Sequence, residues 1–289
     1  METTTKLEAE PAPQPKLKIY FLPNLMTAGN LFCGFVALTK IVEAAPGDYH
    51  PVKVALGFIF LACVFDSLDG RLARMGGVES PFGREFDSLA DLISFGAAPA
   101  FLVHKIVLHP IFADPHINQP EIGWFIASIY LICGALRLAR FNCLATMPGA
   151  GGGGKEFMGF PIPAAAGLVA SVTFFLMWNE ARESDFLTGW GRFVLPALML
   201  FLSVMMVSEV KYPSFKKLDM KARRTFPKMV IAILIIGGLV VLWRYILPIV
   251  LPIVFTAYLL YGFIRPRISR KVREEIEDEP EDDEPSFTA

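Results

Sequence analysis

Long apolar blocks, recurring at short intervals along the chain, constrain its fold more than any other feature. They lie at residues 24–43, 52–74, 84–108, 122–144, 160–179, 191–209, 227–246 and 247–264. Each comes close to or exceeds the roughly 20 apolar residues that a helix needs to cross a bilayer core. With 54% hydrophobic residues and a mean hydropathy of +0.48, the chain is more apolar than a soluble domain of its length. Water is absent from a bilayer core, so each backbone segment there must satisfy its own hydrogen bonds. The expected fold is therefore an all-α, polytopic membrane helix bundle. The last two blocks meet at Leu247-Pro248 and read as two spans, with one long kinked segment as the alternative.

Polar stretches divide the rest. Residues 1–17 are expected to be a disordered tail, 18–209 a membrane core, 210–226 a basic cytoplasmic loop, 227–264 C-terminal transmembrane helices and 265–289 a basic, then acidic, disordered tail. Residues 1–16 have no apolar h-region, so no cleavable signal peptide is expected there. The net charge of −1 hides a separation, because residues 274–284 hold nine acids and no base. With eight spans and the N-terminus inside, about 21 of the 27 Lys and Arg residues fall on the cytoplasmic side. Seven of them lie between Lys211 and Lys228, where anionic lipid headgroups are a better partner than nucleic acid. The four cysteines, Cys33, Cys63, Cys133 and Cys143, lack C-x-x-C spacing and read as buried structural thiols.

Ionisable residues inside apolar spans are costly and mark function. Asp66 and Asp69 are spaced i, i+3 and Asp87 and Asp91 i, i+4, so each pair occupies one helix face. The short connection makes their two helices antiparallel neighbours, with the pairs facing each other. Four converging carboxylates repel unless cations neutralise them, and an all-oxygen site suits hard divalent ions such as Mg²⁺, Mn²⁺ or Ca²⁺. Such a cluster suits phosphoryl chemistry, with a spare carboxylate to accept a proton. Gly70, Ala73 and Gly83 leave room for a nucleotide, and Arg74 can pair with phosphate. The blander alternative, that these acids merely pair with Arg71, Arg74 and Arg84, does not require such regular spacing.

The order D-x-x-D-G-x-x-A-R, eight residues, then G-x-x-x-D-x-x-x-D resembles the signature of the CDP-alcohol phosphatidyltransferase family. Asp66, Asp69, Gly70, Ala73, Arg74, Gly83, Asp87 and Asp91 fill every defined position. The resemblance implies a six-helix catalytic core, here with about two extra C-terminal helices, a homodimer and a polar cavity open to the cytoplasm. It implies that Asp66, Asp69 and Asp87 hold divalent metal, and that Asp91 is the general base and also touches a second metal. Gly70, Ala73, Arg74 and Gly83 would contact the CDP moiety.

Three further stretches resemble the phosphatidylserine synthase branch of that family: Pro23 to Gly34, Phe86 to Gly96, and Leu136 to Asn142 followed by Phe160 to Ala166. The implied reaction moves the phosphatidyl group of CDP-diacylglycerol to L-serine, releasing CMP. Arg137 and Arg140 suit the serine carboxylate and Asn142 its orientation, with positive-inside anchoring as the alternative for the arginines. Asn24, Thr27 and Asn30 are candidates to hydrogen-bond the CDP-lipid, or else to cap the first helix. Other acceptors (glycerol phosphate, inositol phosphate, choline) or an archaeal lipid stand as alternatives within the family. A cation transporter is the distant alternative, weakened because no second copy of the Asp pattern exists. The resemblance places the protein in a bacterial inner membrane. Gly149 to Glu156 imitates a P-loop, but Glu156 stands where Ser or Thr is needed and no strand precedes it.

Overall fold

The computed structural model describes residues 21–45, 47–76, 80–115, 117–146, 156–180, 193–213 and 247–264; the side chains of 71–76, 145–146, 156–158, 180, 211 and 213 are outside that description. The expected tails, most of the basic loop, the apolar block 227–246 and the glycine run 149–154 lie outside the described residues.

The chain forms helices α1 (Phe21–Glu43), α2 (His50–Gly76), α3 (Pro81–Phe112), α4 (Pro120–Thr146), α5 (Ile162–Glu180), α6 (Val194–Val207) and α7 (Leu247–Ile264). All but α6 are long and apolar enough to cross a membrane. At 14 residues α6 extends only about 21 Å, shorter than the block 191–209 had suggested. Helix dominates as expected. A short antiparallel ladder interrupts it, pairing β1 (Glu156–Met158) with β2 (Lys211–Pro213), Phe157 opposite Tyr212. The ladder turns into the bundle at Gly159, whose φ of 78° suits a residue without Cβ and whose N–H reaches the Val210 carbonyl at 2.9 Å.

Lipid is as apolar as leucine, so helices associate here through close packing and specific hydrogen bonds rather than water exclusion. Small residues supply the close approach. Ala37, Ala55, Ala98 and Ala170 bring α1, α2, α3 and α5 together around Ile41, Leu56, Ile59 and Leu102. A second core joins α3, α4, α5 and α6 through Phe95, Tyr130, Ala165, Ala166, Met199 and Leu202. Helices α3 and α5 are the most buried of the six spanning helices, and α7 the least. Phe32, Phe35, Trp124, Phe125 and Val204 stay exposed on the outer faces, where lipid suits them.

Helix α3 is not a regular α-helix. It contains π segments at Leu92–Ala97 and His104–Leu108, each ending two residues before a proline, Pro99 and Pro110. A proline lacks the N–H and crowds the carbonyl four residues back, and a widened turn relieves both faults. At Pro99 that carbonyl belongs to Phe95, and the buried Tyr130 hydroxyl donates to it at 3.2 Å. None of the four cysteines is disulfide-bonded; Cys33 is buried, but Cys143 is exposed at the end of α4, correcting its expected burial.

Candidate active site

Three helices build the acidic site. Helix α2 presents Asp66 and Asp69 near its C-terminal end, and α3 presents Asp87 and Asp91 in its first turns. Ser80 fixes the start of α3: its extended backbone precedes Pro81, and its hydroxyl accepts the Gly83 N–H at 3.0 Å. Helix α1 packs against both α2 and α3. The facing of the two acidic helices therefore depends on a third helix as well as on the short connection.

Ligand oxygens of Asp66, Asp69 and Asp87 lie within 4.8 Å of one another. Asp69 is buried, and Asp66 and Asp87 are partly so. Asp91 is buried and outside that trio, yet near enough for the charges of the other three acids to act on it. The Thr27 hydroxyl lies 3.0 Å from Asp69 Oδ2 and 3.2 Å from the Pro23 carbonyl, so its one proton serves either. Asn30 Nδ2 donates to Asp91 Oδ1 at 3.0 Å. Ser94 ties the same turn of α1 to the first π segment by donating to the Asn30 carbonyl at 2.9 Å. Thr27 and Asn30 therefore hold the acids, and neither caps α1.

Asn24 lies one turn before Thr27, its Nδ2 buried without a hydrogen-bond partner. A Cβ on Gly83 would stand 3.3 Å from Asn24 Oδ1 and 3.2 Å from Ser80 Oγ, so the glycine keeps this corner open. Gly70 is half-buried directly after Asp69. The side chains of Ala73 and Arg74 lie outside the described residues.

The three acceptor-side candidates separate. Arg137 is turned inward, its Nε buried without a hydrogen-bond partner, within electrostatic reach of Asp91 and Asp66. Arg140 instead donates to the Val207 carbonyl at 3.3 Å and stands 4.0 Å from Glu209, beyond the end of α6. Asn142 spends its amide on α3, reaching Ser88 Oγ at 2.9 Å and Glu85 Oε2 at 3.2 Å. Sequence reasoning missed Ser80, Glu85, Ser88 and Ser94. Only Ser80 carried a local signal, a capping residue before proline.

A carboxylate trio with a buried Asp87 Oδ1 lacking any donor is a donor set for a hard divalent cation. The residues fit such an ion.

A sequence model of the CDP-alcohol phosphatidyltransferase family matches residues 20–207. A CDP-diacylglycerol–serine O-phosphatidyltransferase of Helicobacter pylori is 34% identical over 248 residues, 86% of this chain and 91% of its own length. One from Bacillus subtilis is 33% identical over 68% of this chain and 92% of its own. An archaetidylserine synthase of Methanothermobacter thermautotrophicus is 31% identical over 66% of this chain and 69% of its own. The chain belongs to the CDP-alcohol phosphatidyltransferase family. It is an integral membrane transferase of phospholipid biosynthesis, with an acidic cluster able to hold divalent metal.

Proposed function

We propose that the protein transfers the phosphatidyl group of CDP-diacylglycerol to the hydroxyl of L-serine, giving phosphatidylserine and CMP. The observation that carries the serine assignment is the likeness to relatives named for that reaction across nine-tenths of a relative's length. The archaetidylserine synthase is likewise named for a serine product, on a different lipid.

In this reading Asp66, Asp69 and Asp87 hold Mg²⁺ or Mn²⁺, with Asp91 beside them for a second ion. When bound, the metal supplies charge neutralisation at the pyrophosphate oxygens. Thr27 orients Asp69, and Asn30 orients Asp91. Asn24, Gly70, Ala73, Arg74 and Gly83 take the CDP end, Asn24 offering its spare amide donor. Arg137 receives the serine carboxylate, while Arg140 and Asn142 fix α4 against α6 and α3.

Asp91 removes the serine hydroxyl proton. The oxygen forms a bond to the lipid-side phosphorus, the bond from that phosphorus to the bridging oxygen breaks, and CMP leaves with the electron pair. A single displacement suffices because base and acceptor site are adjacent.

The predominance of Lys and Arg on one side supports an active site facing the cytoplasm of a bacterial inner membrane. The family resemblance supports a homodimer with its catalytic core over residues 18–209. The test is CMP release from CDP-diacylglycerol by the purified protein, with and without L-serine, in Mg²⁺, Mn²⁺ or EDTA. Serine- and metal-dependent release with a phosphatidylserine product is expected. Release only with another alcohol overturns serine, and release unaffected by EDTA overturns the metal role.

A further inference from the structure

Helices α3 and α4 are tied by side-chain hydrogen bonds at two levels. At one, the Tyr130 hydroxyl of α4 donates to the Phe95 carbonyl of α3 at 3.2 Å. At the other, Asn142 Nδ2 of α4 reaches Ser88 Oγ at 2.9 Å and Glu85 Oε2 at 3.2 Å, one turn apart on α3. The Ser88 hydroxyl spends its own proton on the Arg84 carbonyl at 3.1 Å, so its oxygen is left to accept. An ionised Glu85 can only accept, so both amide protons of Asn142 are committed to α3. The ties occur in opposite order along the two helices, which therefore run antiparallel. Asp91 lies between Ser88 and Phe95 on α3, and Arg137 lies between Tyr130 and Asn142 on α4. The ties thus bracket the buried carboxylate and the inward arginine.

The carboxylate trio has other support. Its members belong to α2 and α3, and Thr27 of α1 holds Asp69, so α4 supplies none of them. Loosening α4 from the start of α3 therefore disturbs the acceptor side and spares the metal side. In serine only Cα and Cβ separate the carboxylate from the hydroxyl. An acceptor that short cannot stretch to make up for a slipped helix. We infer that Asn142 is a positioning residue: by binding Glu85 and Ser88 it sets the register of Arg137 against Asp91, and so brings the acceptor hydroxyl to the base. This rests on the reading of Arg137 as the acceptor's carboxylate contact and of Asp91 as the base.

The experiment compares the full-length wild type with Asn142→Asp, Glu85→Gln and the two combined. Asn142→Asp exchanges the donor for an acceptor and sets a second carboxylate against Glu85. Its kcat/KM for L-serine should fall by roughly 10–100-fold, the scale on which misplaced reacting groups lose rate. The Michaelis constant for CDP-diacylglycerol and the Mn²⁺ concentration for half-maximal activity should stay within about twofold. Glu85→Gln alone still offers Asn142 an acceptor and should lose less. The combined variant reverses the pair, with an amide on α3 donating to a carboxylate on α4. It should return kcat/KM to within about threefold of wild type, the non-additivity expected of residues in contact. A combined variant no better than Asn142→Asp overturns the proposal, as does an unchanged kcat/KM in Asn142→Asp. So does a parallel rise in the metal requirement and both Michaelis constants, which marks a merely structural role. If wild type uses another alcohol, the serine reading falls, and the same variants with that alcohol still decide whether Asn142 sets the register.

Discussion

Asp91 differs from the other three signature acids in its surroundings. Asp66, Asp69 and Asp87 gather their oxygens within 4.8 Å, whereas Asp91 is fixed by an amide donor from a different helix. Asp91→Asn preserves shape and the ability to accept from Asn30 while removing basicity. CMP release should fall by about 10²–10⁴-fold, the range of a general base. Binding of CDP-diacylglycerol, measured by competition, should persist; turnover within tenfold of wild type would remove Asp91 from the base role. Thr27 makes a different contribution, because it touches a carboxylate of the trio rather than the base. Thr27→Val should raise the Mn²⁺ concentration needed for half-maximal activity by roughly 10-fold, the usual lower cost of losing a metal ligand's partner. Saturating metal should restore most of the rate, and a metal titration that overlays wild type would contradict this role. The acids themselves were legible in the sequence because charge in an apolar span is conspicuous. The roles of Thr27 and Asn30 were not, because a polar residue in a helix does not announce which partner tertiary packing will give it.

At the scale of elements, α1 and α3 are joined where neither can tolerate added bulk. A Cβ on Gly34 would overlap Ser94, including its backbone Cα at 2.8 Å. Trimming Ser94 to alanine cannot relieve that backbone contact. Gly34→Val should therefore cost about 1–3 kcal/mol as an overpacked site. A lowered thermal midpoint in detergent, with little recovery in the Gly34→Val/Ser94→Ala pair, is the expected result. A second test concerns the π segment. Tyr130→Phe removes the hydroxyl that serves the Phe95 carbonyl beside Pro99, at a cost of about 1 kcal/mol. Adding Pro99→Ala restores a backbone N–H in that turn and should recover part of the loss, whereas strictly additive losses would refute the link. The apolar blocks at 24–43, 84–108 and 122–144 showed these helices within a few residues. Apolar runs cannot reveal a change from α to π register, since a buried helix is apolar on every face. Nor could they show the ladder of Glu156–Met158 with Lys211–Pro213, whose strands are too short for an alternating pattern and pair across two helices.

For the whole molecule, one asymmetry organises both chemistry and orientation. The acids of α2 and α3, the Asn142 contacts to Glu85 and Ser88, and Arg137 all belong to the same end of the bundle. The basic residues counted along the sequence make the cytoplasmic side the proposed location of that end, through a charge bias that acts during insertion and leaves no trace in packing. The cysteines offer an independent check. Cys143 follows Asn142 and is exposed, whereas Cys33 is buried in α1 and Cys63 and Cys133 are partly buried. A thiolate must form for alkylation, and a membrane-impermeant maleimide reaches only thiols near water. Inside-out vesicles should therefore label mainly at Cys143, and Cys143→Ser should remove most of that signal; sealed right-side-out vesicles should label far less. Labelling of Cys143 chiefly from the outer face would reverse the orientation and move the acidic site to the opposite compartment. It would leave the helix packing and the carboxylate geometry untouched, because neither depends on which side the bundle faces.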